Sequence, residues 1–252
     1  MYKKNIVFMT FCTLFLGFSL FAETINQTDI PIFSFTGNQP FAFNVKAELG
    51  SRDLVSDNIV SSMDKTRFTA GIDVDIMPFL GLSAEAGVSQ AELDINNDKG
   101  SYGFSWGVGA DVNIFEFIIS ESPVIGKKQW LQLRANAKLE SNESNFPGVD
   151  FSWYEYKIIP SIVYNQNLKT AVNAKSSQPM AVALELGLIF SEIDGEAKNI
   201  DDDTKIDFSE ETNVGVLVGV AFLAKSDWVG RVNGEFYGSD GGSAIFSVEY
   251  NF

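Results

Sequence analysis

Seven apolar residues occupy every second position from Tyr102 to Ile114: Tyr102, Phe104, Trp106, Val108, Ala110, Val112 and Ile114. Gly103, Ser105, Gly107, Gly109, Asp111 and Asn113 fill the places between them. Side chains of a strand point alternately to its two faces, so this spacing makes one greasy face and one polar or glycine face. A helix would scatter the same residues around its circumference. The chain must therefore build a sheet whose apolar face is long and continuous.

The alternation recurs along the chain. It predicts strands over about 41–49, 67–76, 82–93, 102–114, 130–140, 152–164, 180–190, 213–223, 228–237 and 243–252. Met77 to Gly81, Asn96 to Gly100, Lys225 to Asp227 and Gly238 to Gly242 carry turn residues between them. Pro160 removes a ladder donor from the sixth strand, and a bulge is expected there. About ten strands result; eight follow if the first or ninth is not formed, and twelve if a long loop hides a hairpin. A two-sheet sandwich also alternates. The glycine-rich opposite face and the strand length favour a closed barrel, which leaves no unpaired backbone edge.

The N-terminus has the layout of a secretory leader. Lys3 and Lys4 precede an apolar run, Ile6 to Phe18, and Ser19-Leu20-Phe21-Ala22 offers a cut before Glu23. An uncleaved anchor is the competing reading, at the short limit of about 17–25 residues for a spanning helix. Cys12, the one cysteine, lies inside this run, so a cleaved chain has no disulfide framework. Residues 1–22 are thus read as a cleaved signal peptide, 23–38 as an N-terminal periplasmic extension, and 39–252 as the barrel domain.

The final segment carries the family resemblance. From Ser243 to Phe252, Ala244, Phe246, Val248, Tyr250 and Phe252 share one face, and Ser243, Ser247, Glu249 and Asn251 the other, with Ile245 the exception. It resembles the closing strand of small bacterial outer-membrane β-barrel proteins, which end on an aromatic residue in such a pattern. The resemblance spans nearly all of 39–252 and implies an all-β, closed antiparallel up-and-down transmembrane β-barrel in the bacterial outer membrane. It implies outer-membrane lipid as solvent, and periplasmic chaperones and the barrel assembly machinery as partners. Phe246, Val248, Tyr250 and Phe252 become the assembly signal. Trp130, Tyr164 and Trp228 are expected at the periplasmic interface, and Tyr102, Tyr154 and Phe190 at the outer one.

If the apolar faces meet lipid, the opposite faces line the lumen. That lining carries Lys46, Glu48, Arg67, Asp73, Asp75, Glu85, Asp111, Arg134, Lys138, Glu155, Lys157, Glu185, Arg231, Glu235 and Glu249. Buried charges must pair, so one reading is a salt-bridged plug. The other is a narrow cation-leaning, porin-like channel for ions or small solutes, because acids exceed bases. Glu192 to Glu211 is read as a long acidic outer loop. Its Asp201, Asp202 and Asp203 could offer oxygen ligands to a metal, but the run lacks the EF-hand spacing and central glycine, and a solvated loop is the simpler reading.

Composition excludes other classes. The formal net charge of −15 argues against nucleic-acid binding. The chain has no histidine, which removes Ser-His, Cys-His and most zinc chemistry. No cofactor fingerprint occurs. The expectation is a non-enzymatic surface protein of structural or interaction type with a mostly plugged lumen, acting through acidic outer loops that could meet an extracellular partner.

Overall fold

A computed structural model describes residues 41–56, 59–93, 98–122, 127–167, 181–200, 204–224, 227–238 and 241–252. The expected leader, the N-terminal extension and Asp201 to Asp203 lie outside the described residues. The strands are β1 (Phe41–Ser56), β2 (Ile59–Met77), β3 (Leu80–Leu93), β4 (Asp98–Lys99), β5 (Ser101–Ser122), β6 (Lys127–Phe146), β7 (Val149–Asn167), β8 (Ala181–Asn199), β9 (Lys205–Glu210), β10 (Val214–Leu223), β11 (Trp228–Tyr237) and β12 (Gly241–Asn251).

Ten of these close a ring, in the order β10-β11-β12-β1-β2-β3-β5-β6-β7-β8 and back to β10. All pairings are antiparallel, and first and last strands meet over Ala42↔Asn251 to Ser51↔Gly242. Closure satisfies the backbone donors and acceptors that an open edge would expose. At the seam the Phe252 amide donates to the Phe41 carbonyl at 3.1 Å, and the Phe41 and Phe252 rings stack at 6.3 Å. Phe41 and Phe252 therefore sit at one end of the barrel, with the tight Pro78-Phe79 turn; this is called the terminus end, and the opposite end is the far end below.

The outward face is a belt of exposed apolar side chains contributed by all ten ring strands, among them Phe43, Ile72, Val88, Phe104, Leu133, Ile162, Leu186, Val218, Phe236 and Val248. A contiguous apolar patch above a few hundred Å² is foreign to a soluble monomer. Inside, the barrel is crowded: a Cβ added to Gly87 would collide with the backbone of Phe68 and Thr69.

Several expectations need correction. The strands are longer than the apolar belt predicts, because alternation continues beyond it with its polarity reversed. On β7, Tyr154 and Tyr156 face out while Glu155 and Lys157 are buried; toward the far end Asp150 faces out while Phe151 and Trp153 are buried. β2 does the same, with Asp64 exposed and Met63 buried. Beyond the belt the wall is a water-facing barrel with an ordinary apolar interior. Most of Glu192 to Glu211, expected as a loop, is part of that wall. β8 continues to Asn199, and β9 returns along it over Asp194↔Ser209 to Lys198↔Lys205, then reaches β1 at Leu54↔Glu210 and Val55↔Ser209. β9 thus closes the far-end wall above the short β10, β11 and β12.

Pro160 forms no bulge. Pairing of β7 with β8 lapses between Ile158↔Phe190 and Ser161↔Gly187 and resumes in the same register, while Pro160 stays opposite Ala135 of β6. The irregularities fall instead at Asp75/Met77 of β2 and, along β5, at Tyr102/Ser105, Asn113/Phe115 and Ile118/Ser120. Trp130 is not an interface anchor: it shares the inward parity of Gln132 and Arg134, is buried, and has the Lys128 ammonium 5.3 Å from its ring centre. Trp228, Tyr102, Tyr154 and Phe190 face outward and are exposed.

Candidate functional site: the barrel interior

The interior is layered. At the far end Leu54, Met63, Ala91, Phe151, Trp153, Ile193 and Phe208 form one buried apolar cluster. The Phe151 and Phe208 rings stack at 4.6 Å, so β9 is held over the mouth by ring packing as well as by backbone pairing.

Next comes a charged layer whose bonds cross the lumen. Lys65 Nζ of β2 lies 2.7 Å from Glu155 Oε2 of β7 and 2.7 Å from Glu48 Oε1 of β1. Arg67 Nη1 donates to Glu85 of β3 at 2.7 Å and to Glu140 of β6 at 2.8 Å. Lys157 of β7 donates to Glu235 of β11 at 2.9 Å and lies 3.0 Å from Glu155. Lys138 meets Glu85 at 2.8 Å and also contacts Glu140; Lys46 reaches Glu85 at 2.8 Å. Strands β2 and β7, or β7 and β11, are not neighbours in the sheet, so these bonds tie opposite walls together. Apart from the partly exposed Lys46 and Lys138, these cations and carboxylates are buried, where desolvation is offset only by such multiple pairing.

Glu48, Glu140 and Glu155 bring carboxylate oxygens within 4.8 Å of one another, a spacing a metal could use. Here ammonium and guanidinium groups already occupy the space: Lys65 touches Glu48 and Glu155, and Arg67 touches Glu140. The trio is one side of a salt-bridge network.

Toward the terminus end the charges thin out. Arg134 pairs with Asp111 at 3.0 Å, Arg231 stands 3.8 Å from Glu249, Asn44 donates to Asp73 at 2.5 Å, and Ser161 donates to Glu185 at 2.7 Å. Asp75 joins no ion pair among the described residues, and its Oδ1 accepts no hydrogen bond. A second apolar cluster, Val163, Ala181, Ala183, Ala221, Leu223 and Val229, covers one side of this end. Phe246, Val248 and Tyr250 face outward on β12, and Phe252, one residue past its end, is exposed.

Arg52, Lys65 and Glu140 are absent from the sequence-based set of lumen charges, yet they are buried in the network. Arg52 and Lys65 fall beyond the ends assigned to the first two strands, and Glu140 is the last residue of the fifth. The signal was present as parity: Glu48, Gly50 and Arg52 continue one face, as do Lys65 and Arg67. Arg52 lies over the Tyr237 ring, with Glu155, Glu210 and Glu235 all 3.4–3.5 Å away. Glu210, on β9, also accepts a hydrogen bond from Ser191 at 2.8 Å; burial pushes its carboxyl above the ordinary value against the pull of Arg52 and that bond.

No protein-family model matches the sequence, and no curated protein is detectably similar to it. Solved structures do match. The transport unit of the autotransporter AIDA-I from Escherichia coli superposes with a TM-score of 0.55 at 12% identity, covering 94% of this chain and 97% of that one. The outer membrane protease OmpT from Escherichia coli gives 0.43 at 11% identity, with 91% and 99% covered. The translocator domain of the autotransporter NalP from Neisseria meningitidis gives 0.41 at 12% identity, with 86% and 90% covered. The fold of this chain is the outer-membrane type of β-barrel, an architecture it shares with the AIDA-I transport unit.

Proposed function

We propose that the chain is a bacterial outer-membrane protein of structural or surface-interaction type, whose sealed barrel anchors and presents its far end outside the cell. The terminus end then faces the periplasm, residues 1–22 are removed on export, and periplasmic chaperones and the assembly machinery deliver the barrel, with Phe246, Val248, Tyr250 and Phe252 as its signal. The observation that carries this reading is the doubly blocked interior: cross-lumen ion pairs joining β7 to β1, β2 and β11, under an apolar cluster across the far mouth. Water and ions passing through would have to break both. The acidic outward face of the far end, including Asp64, Glu143, Asp150, Glu192 and Asp207, is the surface offered to an extracellular partner. No catalytic role is part of this reading, since the chain offers no histidine for general acid–base work.

One observation favours a second reading, a narrow cation-leaning channel. Near the terminus end Asp73, Asp75, Asp111, Glu185 and Glu249 outnumber the arginines Arg134 and Arg231. Purified barrel reconstituted in planar bilayers separates the two. The sealed reading expects a flat baseline at 1 M KCl; reproducible conductance steps with cation selectivity would overturn it.

A further inference from the structure

At the terminus end the β5–β6 hairpin projects past the Pro78-Phe79 turn. β3 accompanies β5 only as far as Leu80↔Val112, and the Asn113 amide then donates to the Phe79 carbonyl at 2.9 Å. β5 continues to Ser122, paired with β6 from Phe115↔Leu133 to Ser122↔Lys127. On its other side no described residue pairs with this tail. Phe115, Phe117, Ile118 and Ile119 along it are exposed. Between Phe115 and Ser120 the one charge is Glu116, which stands 3.6 Å from Lys128, and neither lysine nor proline guards the edge. A free backbone edge flanked by large apolar side chains is what accepts an added strand.

The chain itself carries a strand that fits. Residues 32–36, outside the described residues, read Ile-Phe-Ser-Phe-Thr, with Phe33 and Phe35 on one parity and Ile32, Ser34 and Thr36 on the other. They lead into β1 at Phe41, which sits at the same end, three strands from β5 by way of Val74 and Leu82. A strand lying on the free edge of β5 continues the line of β3, two strand spacings or about 10 Å from β1. The chain from Thr36 to Phe41 spans about 17 Å when extended, enough to cross beneath the Pro78-Phe79 turn. The direction also fits: the tail of β5 runs away from the ring, and a strand leading into β1 runs toward it, which makes the pair antiparallel. Residues 168–180 also lie at this end, but they leave β7 on the β6 side of the hairpin and have no such alternation. We propose that residues 32–36 add to the free edge of β5 as a further strand, with Phe33 and Phe35 on the face of Phe115 and Phe117. The inference is independent of whether the lumen conducts and of which side of the membrane this end faces.

Cysteine cross-linking tests it in the full chain carrying Cys12→Ser, folded in detergent micelles. Ser34→Cys should form a disulfide within one chain with Glu116→Cys or with Ile118→Cys, the two registers that bring the phenylalanines together. Trp228→Cys is the control. Trp228 is exposed at the same end, two strands from β1 in the other direction, so a loose tether would reach it as readily. It should not cross-link to Ser34→Cys. Hydrogen exchange gives a second readout. In the parent protein the amides of 115–121 that point away from β6 should be protected. In the double variant Phe33→Ser, Phe35→Ser they should exchange at least about tenfold faster, while the ring strands keep their protection and heat-modifiable gel mobility, the sign of a folded barrel, stays unchanged. The assignment is overturned if neither β5 position cross-links in the folded barrel, or if Trp228→Cys cross-links as well as they do. It is overturned equally if the disulfides join two chains, which would make a second copy the occupant, or if exchange of 115–121 is the same in the double variant.

Discussion

Burial decides what an ion pair in this barrel contributes. Lys205 and Glu196 approach to 2.9 Å on the far-end surface, and Lys157 and Glu235 to the same distance inside. The first pair is about half exposed and screened by water; the second is almost wholly enclosed. Glu155 is the extreme case, with Lys65 at 2.7 Å, Lys157 at 3.0 Å and Arg52 at 3.4 Å around one buried carboxylate. Glu155→Gln removes the charge that the three cations share while keeping the shape. It should lower the unfolding free energy in urea by about 3–5 kcal/mol, the cost of stranding buried charge. Lys205→Ala should change it by less than about 1 kcal/mol. Equal effects would mean that water reaches the interior. Parity along a single strand assigns a residue to a face, but it cannot name a partner: Lys65 and Glu155 are 90 positions apart and meet only because the sheet closes.

Among the elements, β9 is the one that changes the shape of the molecule. It spans only six residues, pairs with β8 along one side, and touches β1 through two residue pairs. Its hold on the mouth also includes Ser56 Oγ donating to the Asp207 carbonyl at 2.8 Å and the Glu211 amide donating to the Asp53 carbonyl at 3.0 Å. Val55 and Ser209 stand directly opposite each other, a separation a disulfide can span. The double variant Val55→Cys, Ser209→Cys should form an intramolecular disulfide under mild oxidation, seen as a reducible shift in gel mobility. Persistence of both free thiols in the folded barrel would mean that β9 does not lie on the wall. The ten ring strands were legible because lipid-facing alternation puts most of the large apolar residues of each belt segment on one parity. β9 was not, for the same reason: beyond the belt apolar residues move to the other parity, and among the acidic residues of 192–211 only Ile193, Ile200, Ile206 and Phe208 remain as large apolar markers. Ile206 is exposed, so even this short pattern gives little alternation to read.

The molecule as a whole has two solvents, and the change of polarity along its axis marks where one gives way to the other. Around the belt, outward Phe, Leu, Ile and Val demand hydrocarbon; toward the far end, outward Glu143, Asp150, Glu192 and Asp207 demand water. Charges on a lipid face cost about 2–4 kcal/mol each for Lys and Arg at the midplane and less for acids, so this collar of carboxylates cannot sink into the bilayer. The terminus end is finished differently, by the short Pro78-Phe79 turn and the stacked Phe41, Tyr250 and Phe252 rings at the closing seam. A barrel so built inserts with one end only projecting as a continuous wall. If the far end faces the outside, a single cysteine in place of Glu143 should react with a membrane-impermeant maleimide on intact cells. One in place of Pro78 should react only after the outer membrane is permeabilised. Both positions are exposed in the fold, so a difference in labelling reports the side of the membrane and not burial. The reverse pattern would put Phe41 and Phe252 outside and would make the acidic collar periplasmic.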